Sequence, residues 1–122
     1  MKPHIDTTRF GSITVDGTVF AHDIIVLPNG RVKPRKKTLS KAVYGTSHTI
    51  SRREAKYIRS QATTAACLII GSGQYGNVEL SPEAAAYLKR KHYRVVLAPT
   101  PKVIDTWNRT KARAVGLFHV TC

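Results

Sequence analysis

Ala65-Ala66-Cys67-Leu68-Ile69-Ile70-Gly71-Ser72-Gly73-Gln74-Tyr75-Gly76 is the stretch that decides the fold class. Six residues of small or apolar character run without a polar break and then stop at glycines. That is the pattern of a strand buried on both faces, as strands in parallel sheets are. Such a strand needs a covering layer on each side, and the residues that follow supply one. Ser81-Pro82-Glu83 offers a cap, a proline at the first helical position and an acid near the positive end of the helix dipole, which starts a helix running to about residue 91. Residues 93–98 are strand-like again, Thr100-Pro101 repeats the cap-then-proline signal, and Val103, Ile104 and Trp107 share one helical face. Residues 114–121 supply a last strand. Three strands separated by two helices predict an α/β domain with a partly parallel sheet covered by helices.

The N-terminal half reads differently. Residues 9–15 and 18–20 are β-prone runs meeting at Asp16-Gly17, a dipeptide that tolerates the positive φ angles of a tight hairpin turn. Asp23-Ile24-Ile25-Val26-Leu27 is a short apolar run stopped by Pro28-Asn29-Gly30, with Arg31-Val32-Lys33 as a return strand that Pro34 confines to an edge or ends. Residues 35–49 show little periodicity and read as a basic loop with room for one irregular turn. Ser51 and Glu54 form a capping box, after which Ala55, Ile58 and Ala62 recur at helical spacing and Arg52, Arg53, Lys56 and Arg59 take the solvent side. An antiparallel hairpin region therefore precedes the parallel part.

At 122 residues, 42% hydrophobic and 22% charged, the chain has the size and balance of one folded domain over residues 1–122, with residues 1–8 flexible or at an edge. No apolar run approaches the roughly 18 to 20 residues that span a bilayer. Met1-Lys2-Pro3-His4 opens no signal peptide, so a cytoplasmic location is expected. Cys67 and Cys122 are too few for a disulfide framework or a Cys-x-x-Cys metal site, which fits a reducing compartment.

The formal net charge of +13 is unevenly placed. Residues 31–59 hold ten basic side chains against one acid, Glu54, so 10 − 1 = +9 of the total lies there. Arg35, Lys36, Lys37, Lys41, Arg52, Arg53, Lys56 and Arg59, interleaved with Tyr44 and Tyr57, make a basic surface on which a nucleic acid could bind through counterion release and stacking. A solvated charged face is the plainer reading, and no helix-turn-helix, RNP or KH signature accompanies the run.

Other motifs point less far. Gly71-Ser72-Gly73-Gln74-Tyr75-Gly76 matches G-x-G-x-x-G, yet the next helix cap, Ser81, lies five residues past the last glycine and no acid ends the next strand, so a dinucleotide site is not expected. Exposed N–H groups there could still receive an anion. His119 and Cys122 stand three apart, which on a strand places them on opposite faces and argues against a shared metal or a Cys-His nucleophile unless the strand ends before Cys122. Ser81 has no acid placed to orient a histidine against it, and the acids Asp16, Asp23 and Asp105 form no catalytic pair. No metal or cofactor is expected.

Taken in order, Phe10-Gly11-Ser12-Ile13, Val15-Asp16-Gly17, Asp23-Ile24-Ile25-Val26, Pro28-Asn29-Gly30, Gly71-Ser72-Gly73, Pro99-Thr100, Asn108 and the ending His119-Val120-Thr121-Cys122 resemble the adipogenesis-associated Mth-domain-containing family. That family includes small uncharacterised archaeal and bacterial proteins and a mitochondrial respiratory complex I assembly factor. The resemblance implies a three-layer α/β fold with a central mixed sheet and no established enzymatic activity. Its motif positions Gly71, Ser72, Gly73 and Thr100 would line a crevice at the carboxyl ends of the strands, a candidate anion-binding site, with His48, Asn108 and His119 as further candidates. One departure stands out: relatives tend to carry Trp-x-Arg where this chain has Lys33-Pro34-Arg35. The expected function is a small non-enzymatic protein that binds a protein partner or an anionic ligand in that crevice. The alternatives are a nucleic-acid-binding module on residues 31–59 and a small-molecule enzyme in the same crevice.

Overall fold

The computed structural model describes residues 2–122. Its centre is a five-stranded mixed sheet in the order β5-β4-β10-β7-β9, built from β4 (Ile24–Val26), β5 (Val32–Pro34), β7 (Cys67–Ser72), β9 (Arg94–Ala98) and β10 (Ala114–His119). β10 and β9 flank β7 in parallel, whereas β4 and β5 join antiparallel. The run beginning at Ala65 thus becomes the buried parallel strand its composition predicts, and Pro34 ends the edge strand.

Alternation along β7 and β10 separates two cores. Leu68, Ile70, Val115 and Leu117 pack under α2 (Arg52–Gln61) and α3 (Pro82–Arg90), meeting Ala55, Ile58, Ala84 and Leu88. Ile69 and Phe118 face the other way, against Val103 and Trp107 of α4 (Thr100–Arg109) and against Ile5, Ile13 and Val15 of the N-terminal ribbon. Helices on both faces give the three layers implied by the resemblance. Ser51 and Ser81 cap α2 and α3 as predicted, each accepting a backbone N–H three residues on at 3.1 Å. No helix among the described residues is long and apolar enough to cross a membrane.

Two expectations need correction, and one element had none. Residues 9–15 are not one strand: Phe10-Gly11 turns the chain, and β1 (Ile5–Arg9) pairs antiparallel with β2 (Ser12–Val15), which in turn pairs with β3 (Thr18–Phe20) through Asp16-Gly17 at φ 46° and 79°. Residues 35–49 are not a loop, since α1 (Thr38–Tyr44) lies within them and ends at Gly45 with φ 71°. Its N-cap Lys37 makes no side-chain cap bond, so no local start signal marks it. A two-residue ladder, β6 (Thr49–Ile50) parallel to β8 (Glu79–Leu80), also went without a sequence signal, being too short to show alternation.

Candidate functional site

Strand register draws four polar residues into one row. His119 pairs with Ser72 in the parallel ladder, and extending the antiparallel registers by one residue past Ile24 sets Asp23 opposite His119 and Arg35 opposite Asp23. Paired residues in adjacent strands project to the same face. Arg35, Asp23, His119 and Ser72 therefore lie side by side across β5, β4, β10 and β7, on the face covered by α2 and α3.

Asp23 is the hub of the row. Its Oδ2 accepts from Arg35 Nη1 at 3.0 Å and lies 2.7 Å from His119 Nδ1, while Oδ1 accepts the Val120 N–H at 2.9 Å. Burial pushes this carboxyl up, but the bonds from His119 and Val120, with His119 and Lys37 as nearby charge, outweigh it and hold the pKa at about 2. Arg35 continues the chain to Glu54 through two bonds of 2.7 and 3.1 Å and donates to the Ser47 carbonyl at 2.8 Å. Burial opposes its charge, yet Glu54 and Asp23 hold the guanidinium pKa above its ordinary value. The Glu54 side chain therefore serves Arg35 and Ser40 rather than closing the capping box. The Ser51 N–H goes to Ser40 Oγ instead.

At the other end of the row, β10 stops at His119, so Thr121 and Cys122 turn back over the site. The strand does end before Cys122, but the side chain beside the imidazole is that of Thr121, whose Oγ1 lies 3.0 Å from His119 Nε2. His48 is brought in by the β6–β8 ladder, where its carbonyl accepts from the Glu79 N–H at 2.8 Å, and its ring meets that of His119 edge-on with centroids 5.4 Å apart. Ser72 is fully buried beside His119, and its hydroxyl is the one buried side-chain polar atom among the described residues without a hydrogen-bond partner.

The glycine motif does a different job from the one expected. Thr100 does not cap α4; its Oγ1 accepts from the Gly73 N–H at 2.9 Å and donates to the His119 carbonyl at 2.7 Å. Thr100 and Gly71 are therefore packed into the α4 side and line no open crevice: a Cβ on Gly71 would sit 2.7 Å from Thr100 Oγ1. Gly73, at φ +102°, lies so near the C-terminal backbone that a Cβ would come within 2.4 Å of the Cys122 carbonyl carbon. The amides expected to cradle an anion are engaged internally. Gln74 donates to the Thr121 carbonyl at 2.7 Å, Gly76 to Gly73 at 3.2 Å, Asn77 to Cys122 at 3.1 Å and Val78 to Ser72 at 3.0 Å. The turn is a clamp on the C-terminus.

Of the candidates, Ser72, Gly73, His48 and His119 come together. Asn108 does not: it lies eight residues along α4 from Thr100, about 12 Å away at 1.5 Å per residue. There it brackets the backbone of Ile5 with two bonds of 2.9 Å and so fastens β1 to the helix. Arg35 is likewise removed from the basic surface, because its ion pairs draw it inside. Lys36, Lys41, Arg52, Arg53 and Lys56 are exposed as expected, and Lys37 and Arg59 are half-buried. The Tyr57 ring is already covered by Lys36, with Nζ 5.1 Å from its centroid. Sequence reasoning weighed Asp23 only as one of three scattered acids and set Arg35 on the basic surface, and so missed their buried pairing. The available signal was an acid directly before a wholly apolar strand, a place where a charge is kept only when paired. Among the described residues no group of three or more His, Cys, Asp or Glu side chains is placed to hold a metal ion.

Beside the row, Phe10 and Tyr75 stand exposed with ring centroids 6.0 Å apart, held there by the bonds from Gly11 to Val120 and from Gln74 to Thr8. Two concavities lie elsewhere: one of about 470 Å³ near Lys2, Lys111 and Arg113, and one of about 370 Å³ between α1 and the start of α2.

A family model described as a protein of unknown function, DUF498/DUF598, matches residues 5–118. The chain is similar over its full length to a conserved hypothetical protein from Pyrococcus horikoshii, at 33% identity, 100% coverage of each chain and a TM-score of 0.89. It is also similar to the solved structure MT938, at 30% identity over 99% of this chain and 100% of that one, with a TM-score of 0.83. A Mth938-like domain from Bordetella pertussis shares the fold at 17% identity, covering 97% of this chain and 85% of its own, with a TM-score of 0.66. No curated protein matches.

Proposed function

The chain belongs to the DUF498/DUF598 family of proteins of unknown function, and from that premise we propose that it is a non-catalytic binding module whose strand-end site takes a small anionic group. The observation that carries this reading is the buried, unpartnered Ser72 hydroxyl beside His119. Buried polar groups are almost always hydrogen-bonded, and an exception at the carboxyl end of a central strand marks a place where a ligand atom completes the set. The half-buried His48 supplies a second donor over the same ring pair. The charges nearby do not oppose an anion: Arg35 and Lys37, the latter with Nζ 3.6 Å from Asp23 Oδ2, together balance the carboxylates of Asp23 and Glu54. Thermal unfolding with a panel of inorganic phosphate, sulfate and small carboxylates tests it. A ligand at a hundred times its Kd stabilises by about 2.7 kcal/mol, a readily measured rise in Tm. The rise should disappear in Ser72→Ala and His48→Ala; a panel without effect on the native chain sinks the proposal.

A second reading, an acyl-transfer enzyme, is favoured by the Asp23, His119 and Thr121 chain, with 2.7 Å on one side of the imidazole and 3.0 Å on the other. With the Nδ1 proton on the Asp23 side, Nε2 accepts from the Thr121 hydroxyl, the arrangement that activates a nucleophile. Thr121 Oγ would attack an ester carbonyl as its proton passes to His119, the alcohol would leave with that proton, and water would then hydrolyse the threonyl ester. Incubation with p-nitrophenyl acetate separates the two readings. An acetyl adduct on Thr121, absent in Thr121→Val and His119→Gln, supports the enzyme; release no faster than with Thr121→Val removes it.

A further inference from the structure

On the outer side of α1 and α2 a second surface has a composition of its own. Glu54 is the one acid among residues 31–59, and it is turned inward onto Arg35. The nine remaining basic side chains of that segment therefore face no acid from within it. Among them, Lys41, Arg52, Arg53 and Lys56 are exposed, and Arg52 and Arg53 line a concavity of about 370 Å³ together with Val43, Tyr44, Ser51 and Glu83. Val43 is 51% exposed and Tyr44 39%, on the last turn of a short helix where neither is needed by the core. The Tyr44 hydroxyl donates to Glu83 at 3.0 Å, which fixes the ring as one wall of the groove.

We propose that this groove docks an acidic segment of a protein partner that carries an aliphatic side chain, the aliphatic group seated on Val43 and Tyr44 and the carboxylates on Arg52 and Arg53. Arginine forks bind carboxylates two bonds at a time, and a small apolar patch flanked by two arginines matches that mixed chemistry. A nucleic acid is matched less well. The Tyr57 ring is covered by Lys36 and the Tyr44 ring is tied to Glu83, so neither ring is free to stack on a base.

Fluorescence anisotropy on the full chain tests the assignment with three labelled probes: a short Asp/Glu-rich peptide with two central leucines, the same peptide with serines in their place, and a single-stranded oligonucleotide of equal charge. Saturable binding of the leucine peptide is expected, weakened by about tenfold or more by the serine exchange and by Val43→Asp, as for loss of an interface anchor. Arg52→Glu with Arg53→Glu should abolish it. Both sites are exposed and the arginines open α2, where acids suit the dipole, so circular dichroism should show folded variants. Three results overturn the proposal: no saturable binding of the leucine peptide, equal binding of the two peptides, or tighter binding of the oligonucleotide than of either.

Discussion

Asp23 and His119, 96 residues apart in the chain, meet at the open end of the β4–β10 pair with Oδ2 2.7 Å from Nδ1, and everything else at the strand-end site is arranged around that contact. Arg35 and the Val120 N–H hold the carboxylate, Thr100 holds the His119 carbonyl, and Thr121 and His48 lie against the imidazole ring.

The pH dependence of stability follows from Asp23. Its folded pKa of about 2 lies below the ordinary 3.8, so its contribution is fully present above pH 3.8 and is lost as pH falls through 2. The shift corresponds to about 2 kcal/mol at 1.36 kcal/mol per unit. Urea unfolding at a series of pH values from near neutral down to about 2 should show the native chain losing about that much more stability than Asp23→Asn over the same range. Parallel curves for the two proteins would mean that Asp23 is not held ionised by this network.

Arg35 and Lys36 are neighbours in sequence and should behave as opposites. Arg35→Met strands Asp23 and Glu54 as buried unpaired carboxylates, and breaking a buried ion pair in this way costs about 3 to 5 kcal/mol. Lys36→Met removes an exposed charge and should stay within about 0.5 kcal/mol of the native chain. Urea midpoints at neutral pH compare the two directly.

The clamp on the C-terminus rests on Gly73 and Thr100. Gly73→Ala forces a left-handed conformation and a backbone collision with Cys122, and should cost about 2 to 4 kcal/mol from strain and overpacking together. Thr100→Val keeps the shape but strips the bonds to Gly73 and His119, leaving two buried groups unpaired at about 1 to 3 kcal/mol each. Thr100→Ser should retain most of the stability. Differential scanning calorimetry of the three variants checks the order.

The fold was legible wherever its signals were local. Ser51 and Ser81 caps, the Asp16-Gly17 turn and the apolar run ending at Ile70 each act within a few residues, and each stands where it was expected. Helix α1 was not legible, because seven residues with no N-terminal side-chain cap are held by packing on α2 rather than by propensity. The site was half legible. His48, Ser72 and His119 carry recognisable chemistry, but their union with Asp23 and Arg35 depends on the register of four strands, which no local pattern encodes. For the same reason Thr100 and the glycines announced themselves as a ligand cradle when they are the packing between α4 and the C-terminus.

In the proposed function the strand-end row receives an anionic group at Ser72 and His48. Amide and imidazole NMR of the isotope-labelled chain, titrated with inorganic phosphate and with the best carboxylate of the panel, tests it most directly. Saturable shifts confined to Ser72, Gly73, Thr121 and the His48 and His119 rings, and absent in Ser72→Ala, are the predicted result. Shifts centred instead on Arg52 and Arg53, or no saturable shift at the row with any anion, would contradict it.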